Sequence, residues 1–238
     1  VTVQVIPVIR VPEIRAGDDL AGLILAALAD AALPLTDFDV VVVTQKVVSK
    51  TEGRVVPEEP DGKAAWVERE TRRVVARRHD LVIAETRHGF VCANAGVDAS
   101  NVPDGYLSLL PEDPDGSAER LRASMERATG LRLGVVVTDT FGRPWRRGLV
   151  NVAIGCAGLP SLVDLRGTND ATGRPLEVTV VALADEIAAA SGLVMGKAER
   201  VPVAVVRGIS LHGDATPAAS IVRPPDEDLF RTSIEAPP

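Results

Sequence analysis

Two short valine runs constrain this chain more than any other feature. In "DVVVVT" (residues 39–44) and "GVVVTDT" (residues 134–140) apolar β-branched residues follow one another without polar alternation. A strand with one face in water alternates, whereas an unbroken run is buried on both faces, so each is expected as a central strand of a sheet covered on both sides. The β-branched side chains favour a strand over a buried helical segment. Further strands are expected at residues 3–9, 81–86, 176–181 and 201–208. Helices are expected at 20–33, after the turn Gly17, Asp18 and Asp19, at 117–129 between Ser117 as cap and Gly130 as terminator, and at 182–195. Residues 63–78, "KAAWVERETRRVVARR", place Trp66, Val67, Val74 and Val75 at helical spacing among charges, which predicts one amphipathic helix. The order is not a clean βαβ alternation. The expected class is mixed α/β (α+β): one domain over residues 1–238, built as two intertwined lobes, with residues 212–238 a largely irregular tail.

Composition narrows the function. With 46% hydrophobic residues the chain can bury a sizeable core, yet only 3% are aromatic and the net charge is −7. Few rings for base stacking and no overall positive charge argue against nucleic acid as a partner. No apolar run is long enough to span a bilayer, and the opening alternation does not read as a signal peptide, so a cytoplasmic protein without a membrane partner is expected. Cys92 and Cys156 stand alone, far from any CxxC or Cys/His cluster, which disfavours redox and zinc chemistry.

Neither a GxxxxGK[ST] P-loop nor a Rossmann GxGxxG is present, so a nucleotide would be held some other way. His79, His88 and His212 lack HxxxH spacing, and Ser191 and Ser210 lack a GxSxG context. Asp139 and Thr140 follow the second valine run, where the crevice of an α/β sheet opens, and offer hard oxygen donors to Mg²⁺ or Mn²⁺. The plainer reading is that Asp139 caps a turn. In "NAGVDASN", residues 94–101, Asp98 offers a second carboxylate, although an Asx-turn uses the same residues. Lys46 and Lys50 of "TQKVVSK" lie one turn apart on a helix, as a phosphate cradle or a solvated basic face. Arg143, Arg146 and Arg147 around Trp145 extend the positive charge. Asp185 and Glu186 open an Ala-rich helix, where they are expected to face solvent and complement its dipole.

Taken in order, "VPEIRAGDDL", "DVVVVTQKVVSKTEGR", "NAGVDASNV", "VTDTFGRPWRRG", "VAIGCAGL", "VALADEIAAASGLVMGK" and "PVAVVRG" resemble the coenzyme F420-0:γ-glutamyl ligases over nearly the whole chain. The resemblance implies the family's own two-lobed mixed α/β fold, a stand-alone ligase domain and a homodimer. It implies a GTP-dependent amide ligase that joins L-glutamate to coenzyme F420-0 through an acyl phosphate, with Mg²⁺ or Mn²⁺ and K⁺ as a further candidate ion. Carried onto this sequence, it places metal at Asp98, Asp139 and Thr140. Guanine nucleotide falls to Val11, Pro12, Glu13, Ile14, Gln45, Lys50 and Asn101. Arg143 and Arg146 are the candidates for charge handling in catalysis. Two positions depart from the family: Asn151 stands where an aspartate is more common, and Lys197 where some archaeal members have glutamine. The Asn151 departure leaves open a ligase on the same scaffold with a different amino acid and carboxylate. A non-catalytic nucleotide-binding module is the third reading.

Overall fold

The structure, a computed structural model, describes residues 2–228 apart from positions 59 and 61. In chain order the elements are β1 (Gln4–Pro7), α1 (Leu20–Asp30), β2 (Val40–Thr44), α2 (Gln45–Thr51), β3 (Val55–Pro57), α3 (Lys63–Glu70), β4 (Thr71–Arg78), β5 (Leu81–Thr86) and β6 (Val91–Ala93). There follow β7 (Tyr106–Ser108), α4 (Pro114–Thr129), β8 (Gly134–Arg143), β9 (Arg146–Ala157), β10 (Val163–Asp164), β11 (Val180–Val181), α5 (Leu183–Met195) and β12 (Val203–Arg207). Two 3-10 turns, Asn94–Gly96 and Ala218–Ile221, complete the set. The class is mixed α/β, as the alternating patterns require.

The valine runs lie at the centre. A five-stranded sheet has the order β1-β12-β2-β8-β9, with β2 and β8 parallel and the other neighbours antiparallel. Val41, Val43, Val135 and Val137 enter one core with Ile24 of α1 and Leu121 and Met125 of α4. Val40, Val42 and Val136 enter the opposite core with Ala184, Ile187 and Ala188 of α5. Unbroken hydrophobicity is therefore the sum of two alternating patterns, one for each covered face. At the start of β2 the buried Asp39 carboxylate is held by Thr36 and by Arg207 of β12 (2.7 Å), which locks the two strands at that end.

A second, smaller assembly joins the antiparallel sheet β4-β5-β6, the pair β3-β7 and α3 around Val67, Val82, Ala84, Leu107 and Leu109. Here the expected single helix over 63–78 is corrected: it ends at Glu70 and residues 71–78 form β4. Thr71, Val74 and Val75 are β-branched, and β4 pairs with β5 from Arg78↔Leu81 to Thr71↔Thr86 across a two-residue turn in which His79 takes a positive φ of 53°. The non-local ladder overrides a spacing that also suits a helix.

Other boundaries differ locally. α4 begins at Pro114, capped by Asp113, while Ser117 sits inside the first turn and its hydroxyl donates to Glu52. The expected strand over 176–181 shrinks to β11, paired only with β10. Asp185 is only half-exposed: its carboxylate accepts the Ala153 N–H (2.8 Å), tying α5 to β9, while Glu186 is exposed as expected. The tail beyond residue 208 holds only the turn Ala218–Ile221 up to residue 228, and the part of the expected irregular tail beyond that lies outside the described residues. Among the described residues no helix is long and apolar enough to cross a membrane.

Candidate active site

β2 stops at Thr44, but its parallel neighbour β8 continues to Arg143, paired from there on only with β9. Asp139 and Thr140 are the first residues of β8 beyond the last β2 partner, so a cleft opens on them. They are strand residues, and Asp139 caps no turn. A β-bulge between Val137 and Thr138 in the β8–β9 ladder adds twist at the same point, a common device for aiming side chains beside a site. β2 passes without a break into α2, so Gln45, Lys46 and Lys50 project from a helix over the end of the sheet.

The resulting cleft has a volume of about 1260 Å³. Val11, Pro12, Glu13 and Ile14, after β1, form one wall with Gln45 and Lys50. Asp98 and Asn101 enter from the smaller assembly, and Asp139 and Thr140 form the floor. All the residues to which the resemblance assigned metal or nucleotide thus meet in one space, from four separate stretches of chain. Arg143 and Arg146 do not line it, because β8 and β9 carry them outward to the tip of a hairpin where they pair with each other in register. Lys46, Leu149, Asn151, Lys197 and Arg200 also line the cleft. Nothing in the spacing of Leu149 or Arg200 marks them; Gly196 after an apolar helix is the only local signal that the chain turns back at that point.

Asp98 is fixed through both its backbone and its side chain. Its N–H and C=O bond to Ser108 of β7 (3.0 and 2.7 Å). Its carboxylate accepts the Ser100 N–H (3.0 Å) and hydroxyl (2.6 Å), so the Asx-turn is real and coexists with exposure to the cleft. Lys46 Nζ donates to Asp98 (2.5 Å), to the Ser100 carbonyl (2.8 Å) and to the Ser100 hydroxyl. Burial alone would raise the Asp98 carboxyl, but the bonds from Lys46 and Ser100 outweigh it and hold it at about 2. Asp139 behaves oppositely. It accepts no side-chain hydrogen bond among the described residues, and burial pushes its carboxyl up to about 6 against the help of the Thr140 N–H, Lys46 and Lys197.

Thr140 donates its hydroxyl to Asn151 Oδ1 (2.8 Å) and accepts a hydrogen bond from Lys197 Nζ. Gln45 is buried and accepts from Ser49 (2.8 Å), and Lys50 is paired with Glu13. Both cysteines are buried thiols that burial pushes up to about 12, which leaves no thiolate for chemistry.

Among the described residues no cluster of three or more His, Cys, Asp or Glu side chains surrounds a common point. Two carboxylates and a hydroxyl oxygen suit a hard divalent cation that keeps part of its shell for water and substrate phosphate, and do not suit zinc. An under-bonded, desolvated carboxylate at Asp139 is what such a cation would stabilise.

Fold and cleft together define a mixed α/β protein with a large, open cleft lined by carboxylates and lysines at the end of its central parallel strands. The family model for F420-0:gamma-glutamyl ligase matches residues 8–208, and the chain belongs to that family. It is 44% identical over 252 residues to a coenzyme F420:L-glutamate ligase of Methanothermobacter thermautotrophicus, covering 96% of this chain and 99% of that protein. It is 43% identical over 252 residues to the enzyme of that name from Methanopyrus kandleri, with 97% and 98% covered. The corresponding figures for Archaeoglobus fulgidus are 40% over 250 residues, with 98% of each chain covered.

Proposed function

We propose that this protein is a coenzyme F420-0:L-glutamate ligase that uses GTP and a divalent cation, Mg²⁺ or Mn²⁺, to form a γ-glutamyl amide. One observation carries the reading: in a chain of this family, Asp98, Asp139 and Thr140 stand in the same cleft as Gln45, Lys50, Asn101 and the Val11 to Ile14 wall.

In this mechanism the N-terminal wall, Gln45 and Asn101 hold the guanine nucleotide, and Lys50 exchanges its exposed partner Glu13 for the phosphates. Asp98, Asp139 and Thr140 would hold the cation, which when bound would supply charge stabilisation to the phosphoryl group being transferred. The acceptor carboxylate attacks the γ-phosphorus, the bond to the β-phosphate oxygen breaks, and GDP leaves with an acyl phosphate in place. Glutamate's amine then attacks the acyl carbon, phosphate leaves, the nitrogen loses a proton, and an amide remains. A free carboxylate is too poor an electrophile for that attack, which is why phosphorylation comes first. The protein's contribution is positioning and charge, as in phosphoryl transfer generally. Arg143 and Arg146 have no step here, because they stand outside the cleft lining. In keeping with the family, the working unit is proposed as a homodimer, which sedimentation velocity tests.

The deciding experiment incubates the protein with F420-0, L-glutamate, GTP and Mg²⁺ or Mn²⁺ and reads product masses. Addition of one or more glutamyl residues with release of GDP is expected; absence of product with every metal overturns the reading. Product with another amino acid or carboxylate, but not with these, would instead favour the specialised ligase that Asn151 suggests.

A further inference from the structure

We infer that Asp185 is a positioning residue for the cleft: with Asp115 it fixes a bulge in β9 that decides which side chains stand beside Asp139 and Thr140. The inference deepens the ligase reading above, from which those two residues take their role toward a cation.

The bulge shows in the pairing and in the packing. Val137 pairs with Gly155 but Thr138 pairs with Ala153, so β9 carries one residue, Ile154, more than β8. Strand residues two apart ordinarily share a face. Ile154 instead enters the core formed with α1 and α4, whereas Cys156 enters the opposite core with α5. The extra residue therefore reverses the facing of β9 on the side that leads to the cleft. Without it, pairing carried on from Val137↔Gly155 would set Ala153 opposite Asp139, Val152 opposite Thr140 and Asn151 opposite Phe141. With it, Val152 stands opposite Asp139 and Asn151 opposite Thr140. The hydrogen bond from the Thr140 hydroxyl to Asn151 Oδ1 (2.8 Å) depends on that register.

A bulge disrupts the ladder locally, and its backbone groups need other partners. β9 is the edge strand of the sheet, and carboxylates from helices on opposite faces take its N–H groups on either side of the bulge. Asp185, in the first turn of α5, accepts the Ala153 N–H (2.8 Å). Asp115, in the first turn of α4, accepts the Cys156 N–H (2.8 Å). The Thr138 hydroxyl donates to the Val152 carbonyl (2.9 Å).

The two carboxylates are not equivalent. Asp115 also accepts the Ala218 and Ala219 N–H groups (2.7 and 3.1 Å), and Gly155 lies too close to the Pro114 carbonyl to carry a side chain. That end of the bulge is part of the general framework. Asp185 accepts the Ala153 N–H alone among the described residues and otherwise borders a hollow of about 300 Å³ with Phe90, Phe141 and Val152. It does not line the cleft, so it acts on Thr140 and Asn151 only through the β9 backbone, from a point two residues beyond Asn151. Because the hollow admits water to a freed N–H, the fold absorbs the loss of Asp185 more readily than the loss of Asp115.

The test compares the full wild-type chain with Asp185→Ala and Asp185→Asn. Amide exchange is read without metal at Ala153, Thr140 and Asn151, with β1 on the far edge of the sheet as the control, and Mn²⁺ affinity is measured by calorimetry. Asp185→Ala is expected to speed exchange at the three residues about tenfold or more, to leave β1 within about twofold, and to weaken Mn²⁺ about tenfold. Asp185→Asn keeps an oxygen that accepts the Ala153 N–H and should return every reading to within about twofold of wild type. Unchanged exchange or unchanged Mn²⁺ affinity in Asp185→Ala overturns the inference. So does equal acceleration in β1, which marks general destabilisation, and so does Asp185→Asn weakening Mn²⁺ as much as Asp185→Ala, which makes charge rather than the hydrogen bond decisive. Asp185-dependent exchange and Mn²⁺ binding in a wild type that makes no product from F420-0 would overturn the ligase reading and keep the positioning role. Normal turnover with exchange and Mn²⁺ affinity indifferent to Asp185 would do the reverse.

Discussion

At the scale of single residues, the two carboxylates of the cleft are opposites. Asp98 is saturated with donors and held at about 2; Asp139 lacks side-chain donors and is pushed up to about 6 by burial. Because the folded value of Asp139 lies above its ordinary 3.8, the folded protein keeps a proton that the unfolded chain releases between those values. The sign follows: this group's contribution to stability is complete below about pH 4 and is lost as pH rises through about 6. In metal-free buffer Asp139→Asn should therefore raise stability at pH 7 by on the order of 2 kcal/mol, with the gain vanishing near pH 4. Turnover should fall by about 10²–10³. Melting curves at the two pH values check the first claim; equal shifts at both would refute it. Lys50→Ala should weaken GTP about tenfold or more but leave guanosine binding alone, because only the phosphates meet the lost charge. Calorimetry with both ligands decides, and a parallel loss for guanosine would return Lys50 to a packing role. Residue type and placement already singled out Asp98, Asp139 and Lys50 in the sequence, each with an ordinary alternative, and the family resemblance then gave them metal and nucleotide roles.

At the scale of elements, local pattern succeeded wherever one face or one period dominated. The valine runs, the Ala/Leu-rich α1 and the Gly130 stop of α4, left-handed at φ 72°, were legible because burial and backbone chemistry act over a few residues. Residues 71–78 were not, because β4 owes its state to β5, with which it pairs along its length. The length of β8 was hidden for the same reason: past the valines no local pattern extends the strand, and Asp139 to Arg143 are held in it by β9. The contact of β9 with α4 offers a test. A Cβ at Gly155 would lie 2.2 Å from the Pro114 carbonyl oxygen, which is rigid backbone at the start of α4. Gly155→Ala should destabilise by about 1–3 kcal/mol through overpacking. It should also weaken the neighbouring bond from Cys156 N–H to Asp115 (2.8 Å). Denaturant unfolding measures the first effect and amide exchange at Cys156 the second; wild-type values for both would show that α4 can move aside at no cost.

At the scale of the whole molecule, the central sheet has a core on each face, whereas the smaller assembly rests on a single cluster and its outer strand β4 is exposed along most of its length. Local opening follows buried contact, so amide exchange should be slowest in β2, β8 and β12 and markedly faster in β4. Uniform protection across all four strands would mean that the two parts open as one cooperative unit. Asp98 reaches the cleft from the smaller assembly and Asp139 from the sheet, so ligands that bridge them should slow exchange at residues 98–101 along with the rest of the cleft. The sequence by itself determined that this is a mixed α/β chain with two doubly buried strands and no P-loop or Rossmann loop, and its ordered motifs pointed to the ligase family. Those properties are written in neighbouring residues, in alternation, β-branching and glycine stops. Only the tertiary structure decided that residues 71–78 are a strand, that Arg143 and Arg146 leave the cleft, that Lys46 is engaged with Asp98 and Ser100, and that Lys197 arrives over Thr140. Each of these depends on groups far apart in the chain, whose meeting is set by strand order and by the loss of one sheet partner where β2 ends.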